Sequence, residues 1–227
     1  EHLYFLLAFV LNLNFGAFFS PPSPSPKTLA VIVKRHSNKK RTNKILTEKM
    51  TTENTLTLLN SIHSDLKAVK ELVYDKCGFD LSNLNQNIES SEYGACTFEL
   101  NGKRVQQRIS KITPTKTGQF VTIWKRNKDG ITEPFDTSDD FDFVIITARN
   151  DNNFGQFIFP KSVLADKGII TRKGKEGKRG IRVYPPWDKT TNKQAEKTQT
   201  WQTKYFLTIK NDNSTDLDLT KKLLTQT

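Results

Sequence analysis

The dipeptide Asn101-Gly102 constrains the fold of this chain more than any other short feature. It lies between two runs with the composition of β-strands, Tyr93–Leu100 and Lys103–Ile112. Asn-Gly favours a two-residue type I′ turn, because both residues tolerate the positive φ angles that this turn requires. The sequence therefore predicts a β-hairpin here and an antiparallel sheet around it.

Further elements are predicted on both sides of the hairpin. A helix is indicated over Thr55–Lys76, where apolar residues recur at three- and four-residue steps. Asp80–Glu92 is rich in Asn and Ser and is predicted to be a loop, whereas Thr190–Phe206 is predicted to be the final helix. Other strands are expected at Thr117–Arg126, Phe141–Ala148, Phe154–Phe159 and Ile181–Tyr184. We therefore predict an α+β fold: a mainly antiparallel, twisted sheet with an N-terminal amphipathic helix and a C-terminal helix packed on it.

The chain is predicted to have four parts: a leader (1–49), a helix and loop (50–92), a core domain (93–206) and a peripheral tail (207–227). The leader contains the apolar run Leu3–Phe19, and Met50 is the single methionine of the sequence. We expect translation to start at Met50, with a secretory signal or a membrane anchor as the alternative explanation of the leader. No membrane association is expected for residues 50–227.

Charge is segregated along the chain, whose net charge is +11. Lys103–Arg126 contains seven basic residues and no acidic one, and Lys167–Arg182 contains seven basic residues and one acidic one. Between them, Asp129–Asp151 contains seven acidic residues and one basic residue. This segregation predicts a one-sided basic face, and such a face attracts phosphate-bearing polymers.

Residue types that common enzyme chemistry requires are scarce. No histidine follows His63, and the two cysteines, Cys77 and Cys96, do not form a CxxC pair. Histidine-dependent catalysis, a zinc site and a disulfide framework are therefore not indicated. The sequence also lacks the Walker and Rossmann fingerprints. We predict no catalytic residue, no metal, no cofactor and a reduced, cytoplasmic protein.

Candidate nucleic-acid-binding residues lie in the two basic segments. Alternation over Lys103–Ile112 places Arg104, Gln106 and Arg108 on one side of a strand, where they can contact phosphates or base edges. The glycines of Arg172–Gly180 let the backbone approach a phosphate chain, and nearby aromatic rings can stack on bases or pack in the core. The predicted binding residues are Arg104, Arg108, Lys111, Lys116, Lys125, Arg126, Lys178, Arg179, Arg182, Tyr184 and Trp187. An ordinary solvated surface is the alternative for the charged ones.

Several motifs occur in a characteristic order. They are Ile112-Thr-Pro-Thr-Lys116, Gly118-Gln-Phe-Val-Thr-Ile-Trp-Lys-Arg126, Gly155-Gln-Phe-Ile-Phe-Pro-Lys161, Gly180-Ile-Arg-Val-Tyr-Pro-Pro-Trp-Asp188 and Gln199-Thr-Trp-Gln202. Over about Tyr93–Phe206 this succession resembles the MepB family, which consists of small bacterial proteins without an established enzymatic activity. The resemblance implies a compact α+β fold and a nucleic-acid-binding role, on a scaffold related to restriction endonucleases. It identifies no catalytic residue.

Three functions remain open from the sequence. The first is non-enzymatic binding of DNA or RNA through a basic face. The second is a metal-dependent nuclease using Asp140 or Asp142, which needs an acid-x-Lys motif on the next strand, where the sequence has Gln156 and Lys161. The third is an accessory protein that binds an acidic protein partner. The first is our leading expectation, and whether the protein is an enzyme stays uncertain.

Overall fold

The computed structural model describes residues 41, 63–87, 89, 93–212 and 214–225. The chain divides into two units, Glu1–Glu48 and Lys49–Thr227, and the fold described below is that of the second unit. The predicted leader, apart from residue 41, and the predicted start at Met50 lie outside the described residues. Within the described part of the chain, no helix is both long and apolar enough to cross a membrane.

The second unit contains eleven strands and four α-helices among its described residues. In chain order the strands are β1 (Leu81–Gln86), β2 (Cys96–Leu100), β3 (Lys103–Ile109), β4 (Lys111–Thr113), β5 (Lys116–Thr122), β6 (Lys125–Arg126), β7 (Thr132–Glu133), β8 (Phe143–Arg149), β9 (Phe154–Pro160), β10 (Gly180–Val183) and β11 (Phe206–Thr208). The helices are α1 (64–77, with a π-helical turn at Lys70–Tyr74), α2 (Lys161–Asp166), α3 (Lys193–Gln202) and α4 (Leu217–Thr225).

A six-stranded sheet with the order β1-β2-β3-β8-β9-β11 forms the centre of the fold. Its neighbouring strands are antiparallel, except that β3 and β8 run parallel. The hairpin between β2 and β3 turns at Asn101 (φ 49°) and Gly102 (φ 74°), and two positive φ angles are what a type I′ turn requires. The predicted hairpin and the predicted α+β fold with a mainly antiparallel sheet are therefore confirmed.

Hydrophobic clusters cover both faces of this sheet. On one face, α1 and α4 pack on the strands, with Tyr74, Phe98 and Ile145 among the fully buried side chains. On the other face, α2 and a second sheet, of order β10-β5-β4, enclose a cluster that includes Phe157 and Phe159. The domain thus has three layers, and the second sheet, together with α3, carries the candidate site.

One strand lies where the sequence predicts a loop. Within Asp80–Glu92, strand β1 pairs antiparallel with β2, and its register shifts between Ser82 and Asn85. Asn83 adopts a φ of 51° at this bulge. Because the bulge adds a residue to the strand, Leu81 and Leu84 are both buried although they are three residues apart. The strict alternation that identifies a strand in a sequence is therefore missing here.

The C-terminal part of the chain also differs from the expectation of a peripheral tail. The last predicted helix is confined to α3, and Phe206 begins β11, which pairs with β9. Beyond it, Leu207, Ile209, Leu223 and Leu224 are buried in the cluster beneath α1. The segment after residue 206 therefore supplies an edge strand and part of the core.

A candidate nucleic-acid interface

A cleft between β10 and α3 brings together three of the predicted binding residues, Lys178, Arg182 and Tyr184. Its volume is about 390 Å³. Among the described residues that line it, Lys167, Lys178 and Arg182 are positively charged and none is acidic. The lining residues are Lys167, Ile169, Lys178, Gly180, Ile181, Arg182, Tyr184, Gln194, Thr198, Trp201 and Gln202. We call this the β10–α3 cleft.

Buried Gln202 fixes the two walls of the cleft relative to each other. Its Nε2 donates to the carbonyl oxygen of Arg182 at 3.0 Å, and its Oε1 accepts from the backbone N–H of Tyr184 at 2.8 Å. At the other end of α3, the side chain of Asn192 accepts from the backbone N–H of Ala195 and caps the helix. The cleft therefore has walls that are held in place by hydrogen bonds across it.

Two half-buried aromatic rings line the cleft. The ring of Tyr184 lies directly on Gly118, where an added Cβ would come within 2.6 Å of the ring. Trp201 packs on Phe159, with 5.3 Å between ring centroids, and the Lys167 ammonium lies 5.5 Å from the Trp201 centroid. Each ring is thus anchored against the protein while part of it faces the cleft.

A second cavity, of about 240 Å³, adjoins the cleft because Lys167 lines both. Lys173 and Lys175 also line this second cavity. With Lys167 and Lys178 they form a set of four exposed lysines that we call the basic strip. Across the described part of the chain, no carboxylate pairs with any of these four. Asp166 also lines the second cavity and Glu176 lies next to Lys175 in sequence, but these two carboxylates pair with Arg172 and Arg179 and not with the lysines of the strip.

Arg182 borders the cleft, but its guanidinium is already engaged. Nη1 lies within hydrogen-bonding distance of the carbonyl oxygens of Lys116, Thr117 and Gly118, the shortest contact being 3.0 Å to Gly118. Nη2 donates to Oγ1 of Thr113 at 2.7 Å. Arg182 therefore holds the turn between β4 and β5, on which Lys116 is exposed.

Other predicted residues are engaged with acids away from the cleft. Arg104 forms an ion pair with Asp140, and its backbone N–H donates to Oδ2 of Asp142 at 2.8 Å. Arg126 pairs with Glu89 and lies 5.6 Å from the ring centroid of Trp124. The positive charge of these two arginines is thus locally balanced.

Lys125 and Arg179 line a separate cavity of about 530 Å³ that also contains acids, which we call the mixed-charge cavity. Lys125 pairs with Asp139 and, at 3.3 Å, with Glu133. Burial alone would lower the pKa of Lys125, but hydrogen bonds to these two carboxylates raise it above its ordinary value. Arg179 pairs with Glu176 at 2.8 Å. This cavity lacks the uncompensated charge of the basic strip.

Arg108 contradicts the expectation of an exposed binding side on β3. The alternation itself is correct, but Arg108 is 3% exposed, and the burial lowers its pKa to about 10. Its Nη1 donates to the carbonyl oxygen of Gln107, and its guanidinium lies 6.0 Å from the ring centroid of Phe135. The second sheet covers this face of β3, so Arg108 cannot meet a polymer from solution.

Two further predicted residues make aromatic contacts outside the cleft. Trp187 packs against Phe206 with 5.3 Å between centroids and belongs to the core, which was the alternative for this residue. Lys111 lies 4.2 Å from the ring centroid of Tyr93. Of the predicted set, the structure brings Lys178, Arg182 and Tyr184 together at the cleft. It adds Lys167, which was not among the predicted binding residues, and Trp201, for which the sequence left base stacking and core packing open.

The residues considered for a nuclease do not assemble an acid-x-Lys site. Asp142 is held by Arg104, and Gln156 is buried between Tyr74, which donates to it at 2.9 Å, and Thr147, to which it donates at 3.0 Å. Within the residues that the structure describes, no group of three or more His, Cys, Asp or Glu side chains is arranged to hold a metal ion. Gln156 is thus a core hydrogen-bonding residue.

Fold and site together define an α+β protein with a basic cleft that contains aromatic side chains. A model of the MepB-like family matches residues 87–208, and the chain belongs to this family. A crystal structure of MepB is 37% identical and covers 56% of this chain and 86% of its own, with a TM-score of 0.55. A bacterial homing endonuclease, I-Ssp6803I, is 15% identical and covers 72% of this chain and 93% of its own. Its TM-score is 0.37, which is too low to bear on function. No curated protein matches the sequence.

Proposed function

We propose that this protein binds nucleic acid, DNA or RNA, as a non-enzymatic binding protein. The observation that carries the proposal is the basic strip: four exposed lysines without acidic partners among the described residues, lining two cavities that adjoin at Lys167. A cluster of uncompensated charge on one surface favours a ligand that carries negative charge at regular intervals.

A phosphate backbone meets this requirement because it carries one charge per nucleotide in each strand. Neutralising several phosphates releases condensed counterions, and this release drives binding at low ionic strength. Lys116, exposed on the turn that Arg182 holds, can add a further phosphate contact. The aromatic rings of the cleft add a contact that a purely ionic surface lacks.

Fluorescence anisotropy with labelled DNA and RNA oligonucleotides, measured at several salt concentrations, tests the proposal. We expect binding at low salt and a linear fall of log K with log [salt]. No binding of duplex DNA, single-stranded DNA or RNA at low salt would refute it. Capture of an acidic protein that persists after nuclease treatment, without any affinity for oligonucleotides, would instead support the accessory-protein alternative.

A further inference from the structure

We infer that the β10–α3 cleft accepts one unpaired nucleobase, which makes single-stranded nucleic acid the preferred ligand. This inference rests on the proposed function, because it assigns a ligand to the same site. It follows from the size of the cleft, the two rings that line it and the placement of its polar groups.

The size of the cleft limits what can enter it. Pockets that bind small molecules usually have volumes of about 300–1,000 Å³, so a cleft of about 390 Å³ lies near the lower end of that range. One base with its sugar is a ligand of that order. A stacked base pair with both its backbones is much larger, and a base enters such a site only when it is unpaired or turned out of the duplex.

The two rings supply surfaces on which a base can stack. Tyr184 is anchored on Gly118 and Trp201 on Phe159, so that neither ring must be ordered when the ligand binds. Stacking of one base on an aromatic side chain contributes about 1–3 kcal/mol and tolerates any base, because every base has a π face. The cleft therefore suits unpaired bases of any sequence.

The lysines and the polar side chains of the cleft suit the remainder of a nucleotide. Lys178 and Lys167 are exposed at the cleft and can reach the phosphates on either side of an inserted base. Lys167 now lies over Trp201, and its flexible side chain can move to a phosphate when a base takes that place. Gln194 and Thr198, both on α3, offer hydrogen bonds to base edges.

Three probes of equal length separate base insertion from simple charge attraction. They are a single-stranded oligonucleotide, its duplex, and a single strand in which abasic sites replace the bases. The duplex carries the higher charge density, so that electrostatics alone would favour it. We expect the single strand to bind at least about tenfold more tightly than either the duplex or the abasic strand, as the loss of one stacked base predicts.

Matched tryptophan variants show whether a base stacks in the cleft or elsewhere on the protein. Trp201→Leu should weaken binding of the single strand about tenfold and leave the abasic strand unaffected. Trp124→Leu is the control, because Trp124 is also half-buried and lies beneath a cation, that of Arg126, but is outside the cleft. Because Trp201 also packs on Phe159, Tyr184→Leu serves as a second variant, and thermal unfolding establishes that each variant is folded.

The outcomes are distinguishable from those that test the proposed function. Equal or tighter binding of the duplex or of the abasic strand would overturn base insertion and leave nucleic-acid binding by the basic strip intact. Unchanged single-strand affinity in folded Trp201→Leu or Tyr184→Leu protein would do the same. If none of the three probes binds at low salt, both the inference and the proposed function are overturned.

Discussion

The two basic segments of the chain, Lys103–Arg126 and Lys167–Arg182, each contain seven basic residues, yet the fold gives them different surroundings. In the first segment, Arg104 and Lys125 face carboxylates from the acidic segment Asp129–Asp151. In the second, the lysines of the basic strip have no such partner among the described residues. Charge density along a sequence therefore does not determine the charge that a surface presents.

Strand pairing explains the difference. The parallel pairing of β3 with β8 places Val105 opposite Phe143, so that Arg104 lies beside Asp142 at the start of β8. Lys125 likewise faces Glu133 where β6 pairs with β7. The second segment also meets the acidic segment, at the bridge between Thr171 and Asp136, but Asp136 lines the mixed-charge cavity and not the cleft. At the cleft itself, β10 pairs with β5, which contributes no acid. A basic side chain thus keeps its charge where the fold brings no carboxylate within pairing distance of it.

The largest expected effect comes from reversing two charges of the basic strip. The double variant Lys167→Glu/Lys178→Glu should lower nucleic-acid affinity at low salt by at least about tenfold, because two attractions become repulsions. Fluorescence anisotropy with one fixed oligonucleotide measures the change. The matched control, Arg104→Glu/Lys125→Glu, reverses two charges outside the cleft and should reduce affinity much less. Equal losses in the two double variants would remove the distinction between the two segments.

Arg182 is expected to contribute more to the stability of the fold than to ligand affinity. Its guanidinium bonds to the β4–β5 turn, and hydrogen bonds from charged donors contribute about 1.5–3 kcal/mol. Arg182→Leu should therefore lower the free energy of unfolding by about 2 kcal/mol, measured by urea denaturation. Lys178→Leu is the neighbouring control and should change stability by less than about 0.5 kcal/mol. A stable Arg182→Leu protein with reduced affinity would instead place its guanidinium on the ligand.

Arg104, the ion-paired arginine of β3, should contribute to stability but little to oligonucleotide affinity. This is the opposite of what we expect for the lysines of the basic strip. Arg104→Gln removes a half-exposed ion pair with Asp140 and Asp142 and should cost about 0.5–1 kcal/mol of unfolding free energy. Its oligonucleotide affinity should stay within about twofold of the unmodified protein at moderate salt, where distant charges are screened. Chemical denaturation and anisotropy on the same samples measure both quantities. A large loss of affinity with unchanged stability would show that the acids do not compensate Arg104.

The smallest effect is expected at the far end of the basic strip. Lys173 and Lys175 line the second cavity and not the cleft, so that they contact a flanking part of the ligand at most. Replacing both with Gln should lower affinity about two- to fivefold on an oligonucleotide long enough to reach them, which corresponds to loss of weak ionic contacts. On a short oligonucleotide the same variant should have no effect. An effect that is independent of length would place the ligand differently.

Much of the fold could be predicted because its signals are local. Asn101-Gly102 specifies its own turn, and the β8–β9 hairpin follows from two apolar strands that are close in sequence. Strand β1 could not be predicted, because its bulge at Asn83 removes the alternation. The parallel β3–β8 pairing could not be predicted either, because the two strands are distant in sequence and no turn between them specifies it.

The candidate site was predicted only where its residues are close to one another in sequence. Lys178 and Tyr184 lie near each other in sequence and remain neighbours in the cleft. Trp201 joins them through the packing of α3 beside β10, and Lys167, at the end of α2, lies over the Trp201 ring. The sequence around Trp201 gives no sign of whether this ring packs or binds. Arg108 has the periodicity of an exposed residue, but a second sheet covers it, and the sequence of β3 contains no signal of that sheet.

A salt titration of Lys178→Gln tests whether the basic strip contacts the phosphate backbone. If Lys178 contacts a phosphate, the plot of log K against log [salt] should become shallower by about 0.7 for a single strand, because one fewer counterion is released. Arg126→Gln, which removes a charge paired with Glu89, should leave the slope unchanged. A slope that changes for Arg126→Gln and not for Lys178→Gln would show that binding uses an arginine whose charge is paired with an acid and not the basic strip.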